Sequence, residues 1–412
     1  MPIATRRSFL HGLTAAAGSF TAFAQQLRQA APSDRWEHVR RQFPLAGGLV
    51  YLNAANVAPC PLPVLDLYHR QLHDFQSDPS FQNRAKYAAA EDAVRTKLAA
   101  LVRARPDEIA VTRNTSEATN IVVQGLDLKP GDEVVVTDHN HPSNLDSWKV
   151  RARRHGLVVK VVREPRPLTE PGQLVDLCRR QLSPRTRVIS ITHLTSTVGV
   201  LYPAREIAEL ARSRGIWMHL DGAQTLGAMD IDLKRIGCDS YAGSAHKWPL
   251  GPLETGLLYI REERLPQVWP SIVTAGWRDD IAGARKFEVF GQRDDPRLVA
   301  FGAAIDFLNE IGVPAIEERI RYLAGRLRQG LAEVPGITLH GSTTPGLCFS
   351  VVKVKHARVP SRQLYDQLWA RERMALSLTP DGEIEGVRFS PHIYNSEAEI
   401  DGAVAAVRRA CA

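Results

Sequence analysis

The stretch that decides the fold is Gly215–Gly256, which reads GIWMHLDGAQTLGAMDIDLKRIGCDSYAGSAHKWPLGPLETG. It contains a short apolar run, Ile216–Leu220, whose length is typical of a buried strand, and a second strand-like run, Asp239–Ala242. The first run ends on Asp221, and the second leads through a short turn to Lys247. Because the carboxyl ends of strands line the ligand crevice of an open α/β sheet, we expect this acid and this lysine to face one crevice.

A lysine, an acid and anion donors in one crevice are the groups that pyridoxal phosphate chemistry requires. The lysine carries the cofactor, the acid keeps the pyridine nitrogen protonated, and the donors hold the phosphate. Lys247 and Asp221 fit the first two roles, and Ser244 and His246 fit the third. The alternative is that Asp221 caps a helix and Lys247 is a solvated surface charge. The presence of both groups after strands, in this order, favours a cofactor site.

Two segments carry a resemblance to a known family. HLDGAQ (219–224) and GSAHKW (243–248) resemble the aspartate and lysine motifs of the class V aminotransferase family of fold-type I enzymes. That family includes cysteine desulfurases, isopenicillin N epimerase-like proteins and kynureninases. The resemblance implies an α/β fold in which a large domain with a mostly parallel seven-stranded sheet precedes a smaller α+β C-terminal domain. It also implies a homodimer with the site at the subunit interface.

Length and composition agree with two folded domains. The chain has 412 residues, of which 44% are apolar and 24% are charged, as in ordinary globular proteins. We expect an N-terminal arm at residues 25–60, a large cofactor-binding domain at 61–293 and a small C-terminal domain at 294–412.

The first 24 residues have the pattern of a twin-arginine signal peptide. Arg6 and Arg7 lie in TRRSFL, a mildly apolar stretch follows, and Ala22-Phe23-Ala24 forms an A-x-A cleavage pattern. An ordinary amphipathic arm is the alternative. We expect export by the Tat machinery to the periplasm or beyond, with cleavage near Ala24. Since this route carries folded proteins, the cofactor would be loaded before export.

The charge distribution bears on the class of partner. Lys and Arg number 52 against 45 Asp and Glu, and the net charge of +7 is spread along predicted helix faces. This is typical of a solvated surface rather than a nucleic-acid-binding stripe. No apolar run is long enough to span a membrane as a stable helix. We therefore expect a small amino acid or peptide-like substrate, with neither nucleic acid nor stable membrane anchoring.

A predicted helix start after the strand Ile109–Thr112 is a candidate phosphate site. The segment Asn114–Asn120 contains an ordinary capping signal. The same geometry also binds anions, because free backbone N–H groups and the helix dipole point outward there. The segment resembles the family's phosphate cradle, which implies that Thr115 and Ser116 bind the cofactor phosphate.

Two histidines follow the predicted strand Glu133–Thr137. His139 and His141 form an H-x-H pair, but no third ligand has suitable spacing, so we predict no metal site. The resemblance implies that a histidine here stacks on the cofactor ring. The spacing from Trp148 favours His141, with His139 as the alternative.

Two further side chains are candidates beside the phenolic oxygen of the cofactor. Desulfurases usually have Asn at the position of Ser196, and a serine hydroxyl could take that role. Gln224 is the second candidate.

Substrate binding is implied by two segments far apart in the chain. The resemblance places Asn53, Ala54 and Ala55 against the substrate, although a short edge strand before a turn is the alternative. Arg388 lies in VRFSPHIYN (387–395), which resembles the family motif whose arginine binds the substrate α-carboxylate. A planar guanidinium suits this role because it forms two parallel charged hydrogen bonds. The alternative is a surface salt bridge, and we expect His392 to face the same pocket.

The departures from the family pattern concern cysteine and a phosphate donor. Desulfurases carry a nucleophilic cysteine shortly before this arginine, but Ser377–Gly386 contains none. Cys348 lies in a predicted apolar strand, Leu347–Val354, and is expected to be a core thiol. Leu253 replaces the Thr or Lys of many relatives, and we expect Thr255 to compensate.

The sequence therefore predicts a pyridoxal-phosphate-dependent enzyme that acts at the Cα of an amino acid or amino-acid-like group. The isopenicillin N epimerase-like branch implies an epimerase or racemase, or an aminotransferase, and the missing cysteine argues against a desulfurase. Lys247 is the expected base at Cα. A C–S or other β-lyase is one alternative. An exported binding protein that keeps the fold without turnover is another, to which Leu253 and Ser196 point.

Overall fold

The computed structural model describes residues 20–342 and 344–412, so the twin-arginine motif lies outside the described residues. The helices, in chain order, are α1 (residues 20–29), α2 (Arg35–Arg40), α3 (Leu62–Ser77), α4 (Phe81–Arg84), α5 (Ala88–Leu101), α6 (Thr115–Gly125), α7 (Pro142–His155), α8 (Pro171–Gln181), α9 (Ala204–Ser213), α10 (Leu233–Ile236), α11 (Asp295–Ile311), α12 (Val313–Ala332), α13 (Ser361–Glu372) and α14 (Glu397–Cys411). The strands are β1 (Val50–Tyr51), β2 (Ile109–Thr112), β3 (Glu133–Thr137), β4 (Val158–Val162), β5 (Thr186–Thr192), β6 (Trp217–Asp221), β7 (Ser240–Ser244), β8 (Gly256–Ile260), β9 (Ile337–Leu339), β10 (Val352–His356), β11 (Met374–Ala375), β12 (Ser377–Thr379) and β13 (Gly386–Phe389).

The large sheet has seven strands in the order β2-β8-β7-β6-β5-β3-β4. Strands β7, β6, β5, β3 and β4 pair in parallel, and β8 is antiparallel to both of its neighbours. The predicted mostly parallel sheet is therefore confirmed. Strand β4 was not expected, because it lies at the edge of the sheet and its residues are mostly exposed or half-buried.

Helices cover both faces of this sheet and make its central strands inaccessible to solvent. All five residues of β6 are buried, as are those of β7 and β8. One face packs on an apolar cluster that includes Leu98 and Phe301, and the other packs on a cluster that includes Ile121 and Trp148. Parallel strands covered on both faces are near-continuous apolar runs, and this explains why the polar residues gather at the strand ends.

The small domain has a four-stranded antiparallel sheet in the order β12-β13-β10-β9. Val352 and Val354 of β10, like Val387 and Phe389 of β13, belong to the apolar core under the C-terminal helices. Since side chains alternate along a strand, Lys353 and Arg388 lie on the opposite face. This polar face is the small domain's contribution to the site.

Two consecutive helices occupy the start of the predicted C-terminal domain. The helices α11 and α12 are separated by Gly312, whose φ of 87° is a conformation that glycine adopts readily. Within residues 20–342 and 344–412 no single helix is long and apolar enough to span a membrane, and these two pass that test only together, bent by 78°. Helix α11 packs on α3 and α5 of the large domain. The predicted domain boundary at 294 stays a prediction.

The predicted strand Leu347–Val354 begins later than expected. Strand β10 starts at Val352, and Cys348 makes only an isolated bridge with Val200 of the large domain. The apolar character of this stretch reflects burial between the two domains rather than a continuous ladder.

Helix α1 packs against the body of the protein. The ring of Phe23 is 2% exposed and stacks on Phe307 with the ring centroids 4.7 Å apart. Leu27 joins the same apolar cluster, and Arg28 forms an ion pair with Glu310 at 2.8 Å. Cleavage near Ala24 would remove Phe23 from this cluster, and the cleavage site stays a prediction.

Candidate active site

The lysine lies in a loop that joins two neighbouring strands. Strand β7 ends at Ser244 and β8 begins at Gly256, and the amide of Ala245 donates to the carbonyl of Thr255 at 2.8 Å. The amide of Gly251 also donates to the Ala245 carbonyl, at 2.8 Å. These bonds close the loop at its base, so Lys247 is fixed at the edge of the sheet where β6 also ends.

Asp221, Lys247, His141 and Arg388 share one electrostatic environment. Burial lowers the pKa of Lys247 to about 8, against the attraction of Asp221 and with a smaller contribution from Arg388. The pKa of His141 is lowered by burial and then by Lys247, while Asp221 opposes the shift. Groups that shift one another's pKa in this way lie close together. The fold therefore brings His141 and Arg388, which are 247 positions apart in the sequence, to one crevice.

The crevice gives Asp221 and Lys247 different constraints. The carboxylate of Asp221 is buried, and its Oδ1 accepts from the backbone N–H of Ala223 at 3.0 Å. Lys247 is half-buried, and its depressed pKa leaves a fraction of its amine neutral near physiological pH. A neutral amine is the form that bonds to an aldehyde and removes protons.

The two histidines have different surroundings. His141 is the N-cap of α7, and its Nδ1 accepts from the Ser143 N–H at 3.2 Å, which leaves the rest of its exposed ring open to the crevice. His139 is buried, and its Nδ1 is 2.8 Å from the Thr197 hydroxyl. The groups that shift the pKa of His139 do not include Lys247 or Asp221. The geometry therefore favours His141 over His139 for the stacking role.

The start of α6 meets the end of β7 across the predicted phosphate site. The Thr115 N–H donates to the Ser244 hydroxyl at 2.8 Å, and the two side-chain oxygens are 2.7 Å apart. Asn114 caps the helix by accepting from the Glu117 N–H at 2.9 Å, so Thr115 and Ser116 occupy the first turn. Ser116 is exposed and free to bind an anion at the N-terminus of the helix.

His246 supplies a further polar group beside the lysine. Its backbone carbonyl accepts from the Ala58 N–H at 2.8 Å, whereas its buried Nδ1 has no hydrogen-bond partner among the described residues. Burial and, to a smaller extent, the charge on Lys247 lower its pKa to about 4. A neutral ring with an unpaired nitrogen is suited to a bound group.

This donor set fits pyridoxal phosphate. A lysine of lowered pKa, a buried carboxylate and an open imidazole ring lie at one crevice, and hydroxyls at a helix start lie beside them. The unpaired nitrogen of His246 adds a polar atom that the protein does not satisfy itself.

Gln224 joins the lysine loop to the N-terminal arm. Its side-chain N–H donates to the Ala55 carbonyl at 2.9 Å, and its oxygen accepts from the indole N–H of Trp248 at 2.8 Å. One amide proton is left for a cofactor oxygen, and that role stays a prediction. The hydroxyl role of Ser196 also stays a prediction, because its backbone carbonyl is the group with a contact, to Arg388.

Arg388 bridges three parts of the chain. Its Nη1 donates to the Ser196 carbonyl at 2.7 Å and its Nη2 to the Asn53 side-chain oxygen at 3.1 Å. Its Nε is buried without a partner among the described residues, and burial lowers its pKa to about 10. Arg388 forms no ion pair with a described residue, so the surface salt bridge is not observed. The guanidinium remains charged and has N–H groups free for a carboxylate.

The alanines of the arm act through their backbone. The Ala54 N–H donates to the Ser390 carbonyl at 3.1 Å, and the Ala55 N–H donates to the Ser390 hydroxyl at 3.0 Å. Both side chains are buried. These bonds hold Asn53 next to Arg388, whereas direct contact of Ala54 and Ala55 with a substrate stays a prediction.

Three expectations about neighbouring residues were wrong. Thr255 is buried and donates to the Pro252 carbonyl at 2.6 Å, so it does not replace the donor missing at Leu253. His392 is buried beneath the lysine loop, where its Nε2 is 3.0 Å from the Trp248 carbonyl, and it does not face the pocket. Cys348 is half-buried outside a strand rather than within one.

Sequence reasoning missed Lys353. It is 0% exposed, pairs across the strands with Arg388, and its Nζ donates to the Thr379 hydroxyl at 2.5 Å. A lysine between two valines on a strand of alternating pattern was the available signal, because it predicts a cation on the face opposite the core.

Comparison with known proteins places these residues in a family. Residues 50–402 match the family described as Aminotransferase class-V. The isopenicillin N epimerase of Streptomyces clavuligerus is 32% identical over 386 residues, covering 89% of this chain and 96% of the relative. A probable cysteine desulfurase of Methanothermobacter thermautotrophicus is 32% identical over 322 residues, covering 74% of this chain and 78% of the relative.

A solved structure shows the same fold. It is a C-DES mutant with glycine covalently linked to its pyridoxal phosphate cofactor, and it is 22% identical with a TM-score of 0.81. The match covers 90% of this chain and 98% of the other. The likeness extends over both domains, as the predicted fold class requires.

Proposed function

The chain belongs to the class V aminotransferase family and is a pyridoxal-phosphate-dependent enzyme, and from that premise we propose that it epimerises or racemises an amino acid at Cα. The observation that carries this proposal is Lys247, whose pKa is lowered to about 8 in a crevice shared with Asp221 and Arg388. Transamination is the second candidate, since it begins with removal of the same proton.

Asp221, Arg388 and Lys247 have separate roles in the proposed reaction. When bound, pyridoxal phosphate withdraws electrons from the bonds at the substrate Cα. Asp221 holds a proton at the pyridine nitrogen, and Arg388 binds the α-carboxylate and thereby orients Cα. The neutral amine of Lys247 then removes the Cα proton, and Cα is inverted when a proton is delivered to its opposite face.

Desulfurase activity is not proposed. A desulfurase needs a thiolate near the substrate, and the loop between β12 and β13 contains no cysteine. Burial raises the pKa of Cys348, and its thiol donates to the carbonyl of Ser342 rather than pointing to Arg388. Because desulfurases are also among the relatives, this point needs its own test: incubation with L-cysteine should give neither alanine nor protein-bound persulfide.

A binding protein without turnover is disfavoured by the intact catalytic set. Lys247, Asp221 and Arg388 are all present, the other two groups shift the pKa of Lys247, and the relatives include an epimerase. The exposed Leu253 and the hydroxyl of Ser196 do not interrupt that set.

Deuterium incorporation tests the proposed reaction. The holoenzyme is incubated in deuterated water with individual L-amino acids and short peptides, and substrates are analysed by mass spectrometry and chiral chromatography. We expect deuterium at Cα together with the opposite enantiomer. A keto acid in its place would indicate transamination, and an eliminated fragment would indicate a β-lyase. Absence of exchange with cofactor bound would reject the proposal.

We also propose that two copies of the chain associate next to the lysine loop. An open cavity of about 410 Å³ borders His246 and is lined largely by apolar groups, including Pro59, Pro252 and Leu253. Leu253 is 59% exposed. Analytical ultracentrifugation should show a dimer, and Leu253→Asp should weaken it; a monomer at micromolar concentration would contradict this.

Export through the Tat pathway is a further proposal, supported by the pattern around Arg6 and Arg7. When the full-length protein is expressed, cell fractionation should find its mature form outside the cytoplasm. The double substitution Arg6→Lys with Arg7→Lys should retain it inside. Equal distribution of both proteins would contradict the proposal.

A further inference from the structure

A second cavity lies between the two domains, beside the crevice. It has a volume of about 290 Å³. Large-domain residues form one side and β9 with its following turn forms the other, and the lining includes His139, Glu164, Leu168, Val198, Leu339 and His340. Its walls are thus largely apolar with a few polar groups, as in a site for a small organic molecule.

His139 presents an unsatisfied atom to this cavity. The side chain is 3% exposed, and its Nδ1 is engaged with the Thr197 hydroxyl. Its Nε2 is buried and has no partner within residues 20–342 and 344–412. Since buried polar atoms in native proteins are almost always paired, this nitrogen indicates a missing ligand group or a bound water.

A row of neighbouring residues on the small sheet runs from Arg388 to His340, which lines the cavity. Arg388 of β13 pairs with Lys353 of β10, and the backbone N–H of His340 donates to the Lys353 carbonyl at 2.9 Å on the next strand. These three residues therefore lie side by side on the polar face of the small sheet. Neighbouring strands are about 4.8 Å apart, so the row spans roughly 10 Å from Arg388 to the cavity wall.

Two cations of this row have no acidic partner. Neither Lys353 nor Arg388 forms an ion pair with any described residue, and the ammonium of Lys353 contacts the Thr379 hydroxyl. Buried charges are normally paired. The α-carboxylate of the substrate provides an anionic partner for Arg388. Lys353 requires a second anionic group.

The charged neighbours of His139 include Lys353 and Arg166, of which Arg166 is ion-paired with Asp138 at 2.6 Å. Burial is the main reason that the pKa of His139 is lowered to about 4. The charge of Asp138 opposes this shift, whereas Arg166, Lys353 and His340 add to it. Glu164 is the acid that lines the cavity, and burial raises its pKa to about 7, with the Tyr202 hydroxyl donating to it at 2.5 Å. Protonated Glu164 can donate to a carboxylate rather than repel it.

Resting on the proposed function, we propose that the cavity beside His139 is the side-chain subsite of the enzyme, and that it takes an amino acid whose side chain ends in a second carboxylate. Arg388 binds the α-carboxylate and Lys353 binds the distal carboxylate. The substrate side chain also gives His139 Nε2 the hydrogen-bond partner that it lacks among the described residues. Lys353 lies on the strand next to Arg388, about 4.8 Å away, so a side chain of two to four methylene groups is long enough for its two carboxylates to reach both cations.

The test compares L-glutamate with L-glutamine, which has nearly the same shape without the second charge. Binding to the holoenzyme is followed by isothermal titration and by the change in cofactor absorbance. Exchange at Cα is followed in deuterated water. We expect the enzyme to bind glutamate at least about tenfold more tightly than glutamine, and Lys353→Met to remove that preference without abolishing exchange.

Two variants make the result specific. Lys355→Met alters an exposed lysine of the same strand, paired with Glu385, and should keep the preference for glutamate. His139→Phe retains a ring in the cavity and should also reduce the preference for glutamate over glutamine. This variant tests the subsite if Lys353→Met does not fold. Equal binding of the two amino acids by the unmodified enzyme, or an unchanged preference in both subsite variants, would overturn the subsite. Failure of exchange with every amino acid would instead overturn the proposed function, which the binding measurements do not depend on.

Discussion

The crevice has two walls that are built differently. The wall to which we assign cofactor binding, the cofactor wall, consists of Thr115, His141, Asp221, Ser244 and Lys247. These residues lie at helix starts, at strand ends and in the loop after β7. The carboxylate wall consists of Asn53, Ser196, Lys353 and Arg388.

The difference lies in what holds each wall together. Thr115 and Ser244 bond to each other within one sheet and its covering helix. Arg388, by contrast, reaches from the small domain to the Ser196 carbonyl of the large domain and to Asn53 of the arm. The first wall is set by one rigid element, whereas the second depends on how two domains meet. We therefore expect changes in the cofactor wall to remove chemistry and changes in the carboxylate wall to alter substrate affinity.

The largest effect should follow Lys247→Ala. Loss of the base should lower Cα exchange by about 10²- to 10⁴-fold, because general-base catalysis contributes that much. The measurement is deuterium incorporation at saturating substrate, with cofactor content checked by absorbance. Lys355→Ala, at an exposed ion pair, is the matched control and should keep the full rate. Retention of more than a tenth of the rate by the Lys247 variant would break the division between the walls.

Arg388→Gln should act mainly on substrate binding. Charged hydrogen bonds contribute about 1.5–3 kcal/mol, so KM should rise by about 10- to 100-fold with a smaller change in kcat. Steady-state kinetics with the substrate found by deuterium exchange checks this. If kcat fell as steeply as it does without Lys247, the carboxylate wall would have to be counted as part of the chemistry.

The pH profile links the two walls. Because the pKa of Lys247 is about 8, its neutral fraction should rise nearly tenfold between pH 7 and pH 9, and the exchange rate should rise with it. Arg388 lowers this pKa, so its removal should shift the profile toward higher pH. An unmoved profile in Arg388→Gln would show that the walls are electrostatically independent.

Phe23→Ala should have the smallest effect on catalysis. Its ring packs on Phe307 and contributes no group to either wall, so exchange should be unchanged. Thermal or urea unfolding should show a loss of about 3 kcal/mol, as expected for an emptied aromatic site. Processing that removes Phe23 would abolish this effect, and mass determination of the purified protein identifies which form is measured.

The sequence predicted the cofactor wall better than the carboxylate wall. Motifs that follow strands place Asp221, Lys247 and Thr115 without knowledge of tertiary structure, because strand ends of one sheet must meet. The fold class and the cofactor could therefore be expected from local patterns.

The carboxylate wall depends on contacts that no local pattern contains. Lys353 was missed because its role comes from cross-strand register with Arg388. His392 and Thr255 were misplaced because their residue types are compatible with a pocket, and only packing shows that they bond to backbone carbonyls instead.

The closed base of the lysine loop has a consequence for chain length. Residues 245–255 join two hydrogen-bonded strands, and Leu250 and Glu254 already adopt left-handed backbone with φ of 61° and 56°. Such a loop cannot accommodate an added residue without a change of conformation. Its ends are fixed by the sheet, and its interior is hydrogen-bonded to its own base. An insertion between Ala245 and Thr255 would displace the amine from Asp221 even though every functional side chain was retained. Descendants of this sequence can therefore exchange exposed residues of the loop, such as Leu253, only if the length of the loop stays constant.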